Sequence, residues 1–222
     1  MCGRFTLTDN IVQLQAFFEF DFDEETIPRY NIAPGQKILT ILSDGSTRKG
    51  RNMKWGLVPS WAKDEKIGYK MINARGETIE EKPSFKQAFQ RRRCLILADG
   101  FYEWKKTENG KQPYRFVMKD RKPFAFAGIW ETWTNGTQPL TSCTIITTGP
   151  NDVTKDVHDR MPVILPADTY EKWLDPGFQQ IGELKDLLQP YPAEEMEKYE
   201  VSTLVNAAKN ELPELITPLN SL

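Results

Sequence analysis

Three Asx-Gly pairs, Asp44-Gly45, Asn109-Gly110 and Asn135-Gly136, each stand between runs rich in β-branched and aromatic residues. Both members of such a pair accept the positive φ of a tight hairpin, so these pairs constrain the chain to antiparallel sheet more than any other feature does. They predict hairpins joining 37–42 to 51–57, 101–105 to 114–118, and 124–131 to 142–148. Arg93–Ala98, unbroken in its apolar character from Cys94 onward, reads as a buried strand. Helical spacing is scarcer. Thr8 stands as N-cap to a helix over 9–19 with Ile11, Leu14 and Phe18 on one face, and 83–90, 166–174 and 182–188 are further helices. The segment 23–35 reads as irregular, and the last thirty residues, with their prolines, as short surface pieces. Predicted strands outnumber helices. The expectation is an α+β fold, one domain over 1–222, built on a mainly antiparallel, barrel-like sheet with peripheral helices.

Composition narrows the function classes. At 222 residues with 39% apolar and 27% charged side chains, the chain can bury a substantial core. No stretch approaches the roughly 18 apolar residues that span a bilayer, and the N-terminus lacks a secretory signal, so a cytoplasmic protein is expected. The three cysteines, Cys2, Cys94 and Cys143, are odd in number and widely spaced, which argues against a disulfide framework. With no Cys-x-x-Cys and a single histidine, no metal centre is expected. Phosphate-loop, dinucleotide and nucleophile-elbow motifs are missing too, and no cofactor is expected. Net charge is −2, so any nucleic-acid affinity must come from a local patch.

The chemistry concentrates in a few places. Cys2 follows Met1, and so small a second residue suits removal of the initiator methionine. Its α-amine and thiol then sit on adjacent carbons, with ordinary pKa values of about 7.7–8.0 and about 8.5 that leave both partly reactive at neutral pH. One aldehyde can condense with both groups, giving an imine and then a five-membered thiazolidine; an internal cysteine cannot do this. Position alone leaves an equal case for Cys2 as a buried small residue. His158, in Val157-His158-Asp159-Arg160-Met161-Pro162, can relay protons at neutral pH, although a lone histidine is more often structural. Glu103 lies between Tyr102 and Trp104, where partial desolvation would raise its pKa, while strand periodicity alone would point it outward. Asn73 offers an amide to a reacting hydroxyl, and Arg75 a guanidinium to a phosphate. Trp61 and Trp104 could stack on unpaired bases or pack in the core. The run Arg91-Arg92-Arg93 reads as a solvated helix end.

Seven segments in order resemble the SOS response-associated peptidase (SRAP) family. They are Met1-Cys2-Gly3-Arg4-Phe5, 29–35 (Arg-Tyr-Asn-Ile-Ala-Pro-Gly), 55–59 with Trp61, 72–77 (Ile-Asn-Ala-Arg-Gly-Glu), 98–104 (Ala-Asp-Gly-Phe-Tyr-Glu-Trp), Gln112-Pro113 and 158–162 (His-Asp-Arg-Met-Pro). Val205-Asn206 and Lys209-Asn210 fit the closing motif more loosely. The resemblance implies a monomer that binds single-stranded DNA at damaged sites in the nucleoid and traps abasic sites through a Cys2 thiazolidine. Asn73 would position the sugar, and Glu103 and His158 would move protons. Arg4, Arg75 and Arg160 would hold phosphates, and Pro34, Trp61, Trp104 and Thr147 would line the DNA path. Where the family often has paired aromatics after the Trp-Gly segment, Ser60-Trp61-Ala62 supplies one ring. Three alternatives stand beside this reading: an N-terminal-nucleophile amidohydrolase, a Cys2–His158–Glu103 peptidase, and a DNA-binding module with no covalent step.

Overall fold

At two of the three Asx-Gly pairs the glycine takes the positive φ a tight turn demands, Gly45 at 96° and Gly110 at 123°. The computed structural model describes residues 2–219. In chain order the strands are β1 (Phe5–Leu7), β2 (Arg29–Ile32), β3 (Lys37–Ser43), β4 (Arg48–Trp55), β5 (Asn73–Arg75), β6 (Arg93–Ala98), β7 (Gly100–Thr107), β8 (Gly110–Met118), β9 (Phe124–Trp133), β10 (Leu140–Thr148), β11 (Met161–Pro162) and β12 (Met196–Glu200). The helices are α1 (Ile11–Phe18), α2 (Lys86–Arg91), α3 (Tyr170–Leu174) and α4 (Ile181–Asp186). All three hairpins form, as β3–β4, β7–β8 and β9–β10. The third is closed by the longer loop 134–139, because Asn135 uses its side-chain amide to hold the carbonyls of Ser60 and Ala62 instead of closing a two-residue turn.

The strands build the expected mixed α+β architecture. β4, β3, β6 and β9 run antiparallel in that order, β9 pairs antiparallel with β10, and β10 returns to β4 in parallel, closing a five-stranded barrel. β5 continues the parallel pairing along β10 beyond β4, and β11 adds to the far end of β10. A second, antiparallel sheet runs β12-β8-β7-β1-β2. Phe5 on β1 joins the two, packing edge-on against Trp55 at 5.2 Å and Phe126 at 5.6 Å between ring centres. Such T-shaped aromatic pairs contribute about 0.5–1.5 kcal/mol beyond the area they bury.

Local chemistry explains where elements depart from expectation. Asn10, not Thr8, caps α1: its side chain accepts from the Gln13 N–H, while the Thr8 hydroxyl and N–H are both spent on Asp99 at 2.5 Å. Asp99 also accepts from Thr6 and from Arg115, a buried hub that ties β1, β7 and β8 together. Gly100 is needed beside it, because a Cβ there would lie 2.6 Å from the Arg115 guanidinium. Arg93 is not a solvated helix end. It is 4% exposed, and its guanidinium donates to the carbonyls of Trp173, Phe89, Gln90, Asp175 and Phe178, tying α2 and α3 to β6. Five carbonyl partners satisfy all of a guanidinium's donors, which is how a buried arginine is tolerated.

The chain's last part is not loose surface coil. β12 pairs with β8, and residues 203–211 fold back over β1 and β2 as a strap. Asn31 holds it: its amide donates to the carbonyls of Val205, Ala207 and Asn210, and its oxygen accepts from Arg4. Glu211 adds bonds to the N–H groups of Tyr30 and Asn31 and to the Arg29 guanidinium. Asn31→Ala takes the side-chain donor from the Ala207 and Asn210 carbonyls, leaving Val205 with Arg4 alone, and is expected to cost about 2 kcal/mol. A urea midpoint equal to that of the unaltered protein would show that the strap is held without Asn31.

Candidate functional site

Cys2 lies immediately before β1 and is fully buried over the Phe5–Trp55–Phe126 cluster. The Arg4 backbone N–H donates to its sulfur, and the Glu103 carboxyl is a neighbour that, once ionised, opposes a thiolate. Burial, reinforced by that carboxyl, pushes the thiol well above its ordinary pKa. This corrects the expectation of a partly ionised thiol: sulfur rests here as S–H. Met1, and with it the expected removal of the initiator, lies outside the described residues.

Glu103 comes from β7, where Phe101, Tyr102 and Glu103 are all buried between the sheet and its neighbours. The strand is therefore buried on both faces, with Phe101 in one core cluster and Tyr102 in another, and burial on the Phe101 side desolvates the carboxyl. At 3% exposure, burial raises its pKa to about 8, so it holds its proton at neutral pH. His158 arrives on the loop between β10 and β11. Asn151 braces that loop by accepting from Val153 and Thr154 N–H and donating to the Tyr191 carbonyl. His158 Nδ1 accepts the Arg160 backbone N–H at 3.1 Å, which leaves the proton of the neutral ring on Nε2. Desolvation lowers its pKa, so the ring is neutral at pH 7. Asp159 also stands 3.1 Å from Nδ1, but its side chain is 90% exposed and only a protonated ring would donate to it; the Arg160 bond fixes the resting tautomer. Nε2 stands 3.9 Å from Glu103 Oε2, a gap that a substrate hydroxyl or a water can bridge.

Glu103 and His158 open onto a cleft of about 420 Å³ that Arg4, Trp104, Lys106, Lys111 and Asn206 also line, while Cys2 lies buried behind it. A larger cleft, about 630 Å³, lies elsewhere beside Glu19, Asp21 and Arg48, and contains none of the candidate site residues named from the sequence. Arg4 stacks over Trp104 at 5.7 Å and donates to the Val205 and Asn206 carbonyls, while Trp104 Nε1 donates to Asn206 Oδ1 at 2.7 Å. The strap thus forms one wall. Asn206 entered the sequence reading only as part of a loose closing motif; its place in the cleft is set by the fold, because more than a hundred residues separate it from Arg4 and Trp104.

The remaining residues form a second group along β5 and β10. Asn73 pairs in register with Ile145 and Arg75 with Thr147. Asn73 donates to the Ile72 carbonyl, and among the described residues its buried Oδ1 has no hydrogen-bond partner. Among the described residues no hydrogen bond ties Asn73 to Cys2, Glu103 or His158. Arg160 forks onto Glu77 at 2.6 and 2.9 Å and also donates to Thr147, whose side chain is buried. Arg75 is exposed, as are Trp61 and Tyr69, and Pro34 is half-buried at the turn into Gly35. Tyr69 stands against Gly35, so two exposed rings flank this edge where the sequence suggested one. Gly56 brings that edge together, since its backbone touches Gly68 so closely that a Cβ would lie 2.6 Å from the Gly68 oxygen. Among the described residues no cluster of three His, Cys, Asp or Glu side chains could hold a metal.

The fold, with its closed mixed barrel, has known counterparts. A crystal structure of a protein from Bacteroides thetaiotaomicron superposes with a TM-score of 0.88 at 27% identity, covering 98% of this chain and 99% of that one. The chain belongs to the SOS response associated peptidase (SRAP) family, whose model matches residues 1–208. Among its relatives, the Bacillus subtilis protein named abasic site processing protein YoqW is 52% identical, with 97% of this chain and 99% of that one covered. Abasic site processing protein YoaM, also of B. subtilis, is 50% identical over the whole of both chains. The Gallus gallus abasic site processing protein HMCES is 35% identical, with 86% of this chain and 66% of the longer relative covered.

Proposed function

We propose that this protein processes abasic sites in single-stranded DNA by trapping them on Cys2 once Met1 has been removed. The observation that carries the reading is the buried Cys2 thiol beside a Glu103 carboxyl that keeps its proton at pH 7, with the His158 Nε2–H across a 3.9 Å gap. The names of the relatives supply the substrate class.

The proposed chemistry balances with one water released. An abasic sugar rests mainly as a closed hemiacetal; Glu103 and His158 pass protons between its ring oxygen and its hydroxyl to free the aldehyde. The Cys2 amine adds to that carbon, giving a carbinolamine. Glu103 then protonates the departing hydroxyl, water leaves, and an iminium and a Glu103 carboxylate remain. The carboxylate takes the thiol proton as sulfur closes on the same carbon, which returns Glu103 to its resting state. A thiol with a raised pKa fits this order, because sulfur is needed only after a base has been created beside it. Once the ring closes, no aldehyde is left to acidify the neighbouring carbon, and the strand is protected from β-elimination. Asn73, whose side-chain oxygen is unengaged, would position the sugar. Arg4, Arg75 and Arg160 would hold phosphates, with Pro34, Trp61, Trp104 and Thr147 along the strand's path.

Incubating the protein with a strand carrying one abasic site tests the reading: a denaturation-resistant adduct is expected, and Cys2→Ala should give none. Failure to form it, under conditions where the intact strand still binds, would leave a binding module alone. Glutamine-dependent ammonia release would favour the amidohydrolase instead.

Arg160 carries a further consequence. Its guanidinium is held by Glu77, whose own pKa the pairing lowers, so a phosphate must share Arg160 with a carboxylate. Glu77→Gln removes the negative charge and is expected to tighten single-strand binding by about threefold at low salt. Weaker binding would mean that Glu77 serves to position Arg160.

A further inference from the structure

Lys106 and Lys111 face each other directly across the β7–β8 hairpin. Directly opposed residues of an antiparallel pair project to the same side, and like charges placed so destabilise the pairing. Nearby lysines are relieved of that cost: Lys105 and Lys198 both pair with Asp156. Among the described residues Lys106 and Lys111 have no ion pair, and Glu108 in the intervening turn makes none with either. Both nevertheless line the cleft that holds Glu103 and His158. At about 3.3 Å per residue, Lys106 stands roughly 10 Å along β7 from Glu103. Asn206 faces them from the strap. Because its Oδ1 accepts from Trp104 Nε1, its amide nitrogen is left to donate.

We infer that Lys106 and Lys111 form a phosphate subsite that carries the DNA backbone away from the reacting sugar along the β7–β8 hairpin, an inference that rests on the single-strand reading above. An anion between two opposed ammonium groups removes their repulsion, so the unfavourable pairing in the free protein becomes favourable in the complex. The site also extends the path beyond Arg4 and Trp104, which are already engaged with each other and with the strap.

The test measures binding of an intact single strand, with no abasic site, against salt concentration. Two phosphate contacts contribute about 1.4 to the log–log salt slope for single strands, so Lys106→Gln/Lys111→Gln should flatten the slope by that amount and weaken binding at least about tenfold at low salt. Lys119→Gln/Lys122→Gln, on a different cleft, makes the same charge change and should leave slope and affinity alone. Lys111→Glu places opposite charges across the hairpin; it should raise the melting temperature while weakening DNA binding. An unchanged slope in the Lys106/Lys111 variant, an equal loss in the control pair, or no binding of intact strand by the unaltered protein overturns the subsite. Adduct yield at saturating abasic DNA is read separately. No adduct with a Lys-dependent salt slope rejects the covalent step and leaves the subsite standing; a full adduct with an indifferent slope does the reverse.

Discussion

Glu103→Gln is expected to slow adduct formation by about 10²–10⁴-fold, the range for a positioned acid–base group, while intact-strand affinity changes little. Glutamine keeps the shape of the side chain and its acceptor oxygen but can neither protonate the leaving hydroxyl nor accept the thiol proton. The pH profile follows from the same group. Addition needs the α-amine in its free form, ordinarily above about 7.7–8.0. Dehydration needs Glu103 protonated, below about 8. A bell centred near pH 8 results, and its alkaline limb should vanish in the glutamine variant.

The stability of that variant should move the other way. The folded chain holds the Glu103 proton up to about pH 8, whereas an unfolded glutamate loses it near about 4.3. Between those values the unfolded state has released a proton that the native state keeps, so native stability declines as pH rises and levels off above about 8. Glutamine has no proton to release. The variant should therefore gain on the unaltered protein from about pH 4 to about pH 8, by an amount on the order of 5 kcal/mol. Urea unfolding at several pH values reads this directly. Equal loss of adduct and of strand binding, or a variant less stable at pH 8, would assign Glu103 a structural role.

Retaining a residue in front of Cys2 is expected to have the largest effect of all. A protein made with an uncleavable second residue inserted between Met1 and Cys2 keeps the thiol and the cleft lining but has an amide nitrogen where the α-amine should be. An amide cannot form the imine, and without the imine the sulfur can give only a reversible hemithioacetal. Adduct surviving denaturation should fall below detection, as it does for Cys2→Ala. Undiminished yield would mean that sulfur acts without the amine.

The two variants bear on how the site is encoded. The hairpins were legible because their turns are local: Asp44-Gly45 and Asn109-Gly110 carry the φ requirement in the residues themselves. β12 was not, since Met196–Glu200 has three charged residues among its five and, lying at a sheet edge, has only one strand to pair with. β2 was read as irregular for a related reason: its place is fixed by Asn31 and Glu211, which meet across 180 residues. The same distance effect governs the site. Cys2, Glu103 and His158 could be named from their chemistry, while the burial that raises the Glu103 pKa comes from the core on the Phe101 side and not from its two aromatic sequence neighbours. The thiol's own burial, the capture of Arg160 by Glu77, and the meeting of Lys106 with Lys111 beside Asn206 depend on which strands become neighbours. Arg93 shows the limit most plainly. A run of three arginines looks solvated until five carbonyls from α2, α3 and the segment following α3 converge on one of them.

The most direct test of Cys2 as an amine and thiol acting together is the intact mass of the adduct, measured before and after borohydride treatment. A thiazolidine weighs as much as the Met1-less protein plus the abasic strand less one water, and borohydride leaves it unchanged. A mass that gains two hydrogens on reduction would identify an open imine and contradict sulfur closure; a mass that still includes Met1 would contradict the requirement for a free Cys2 amine.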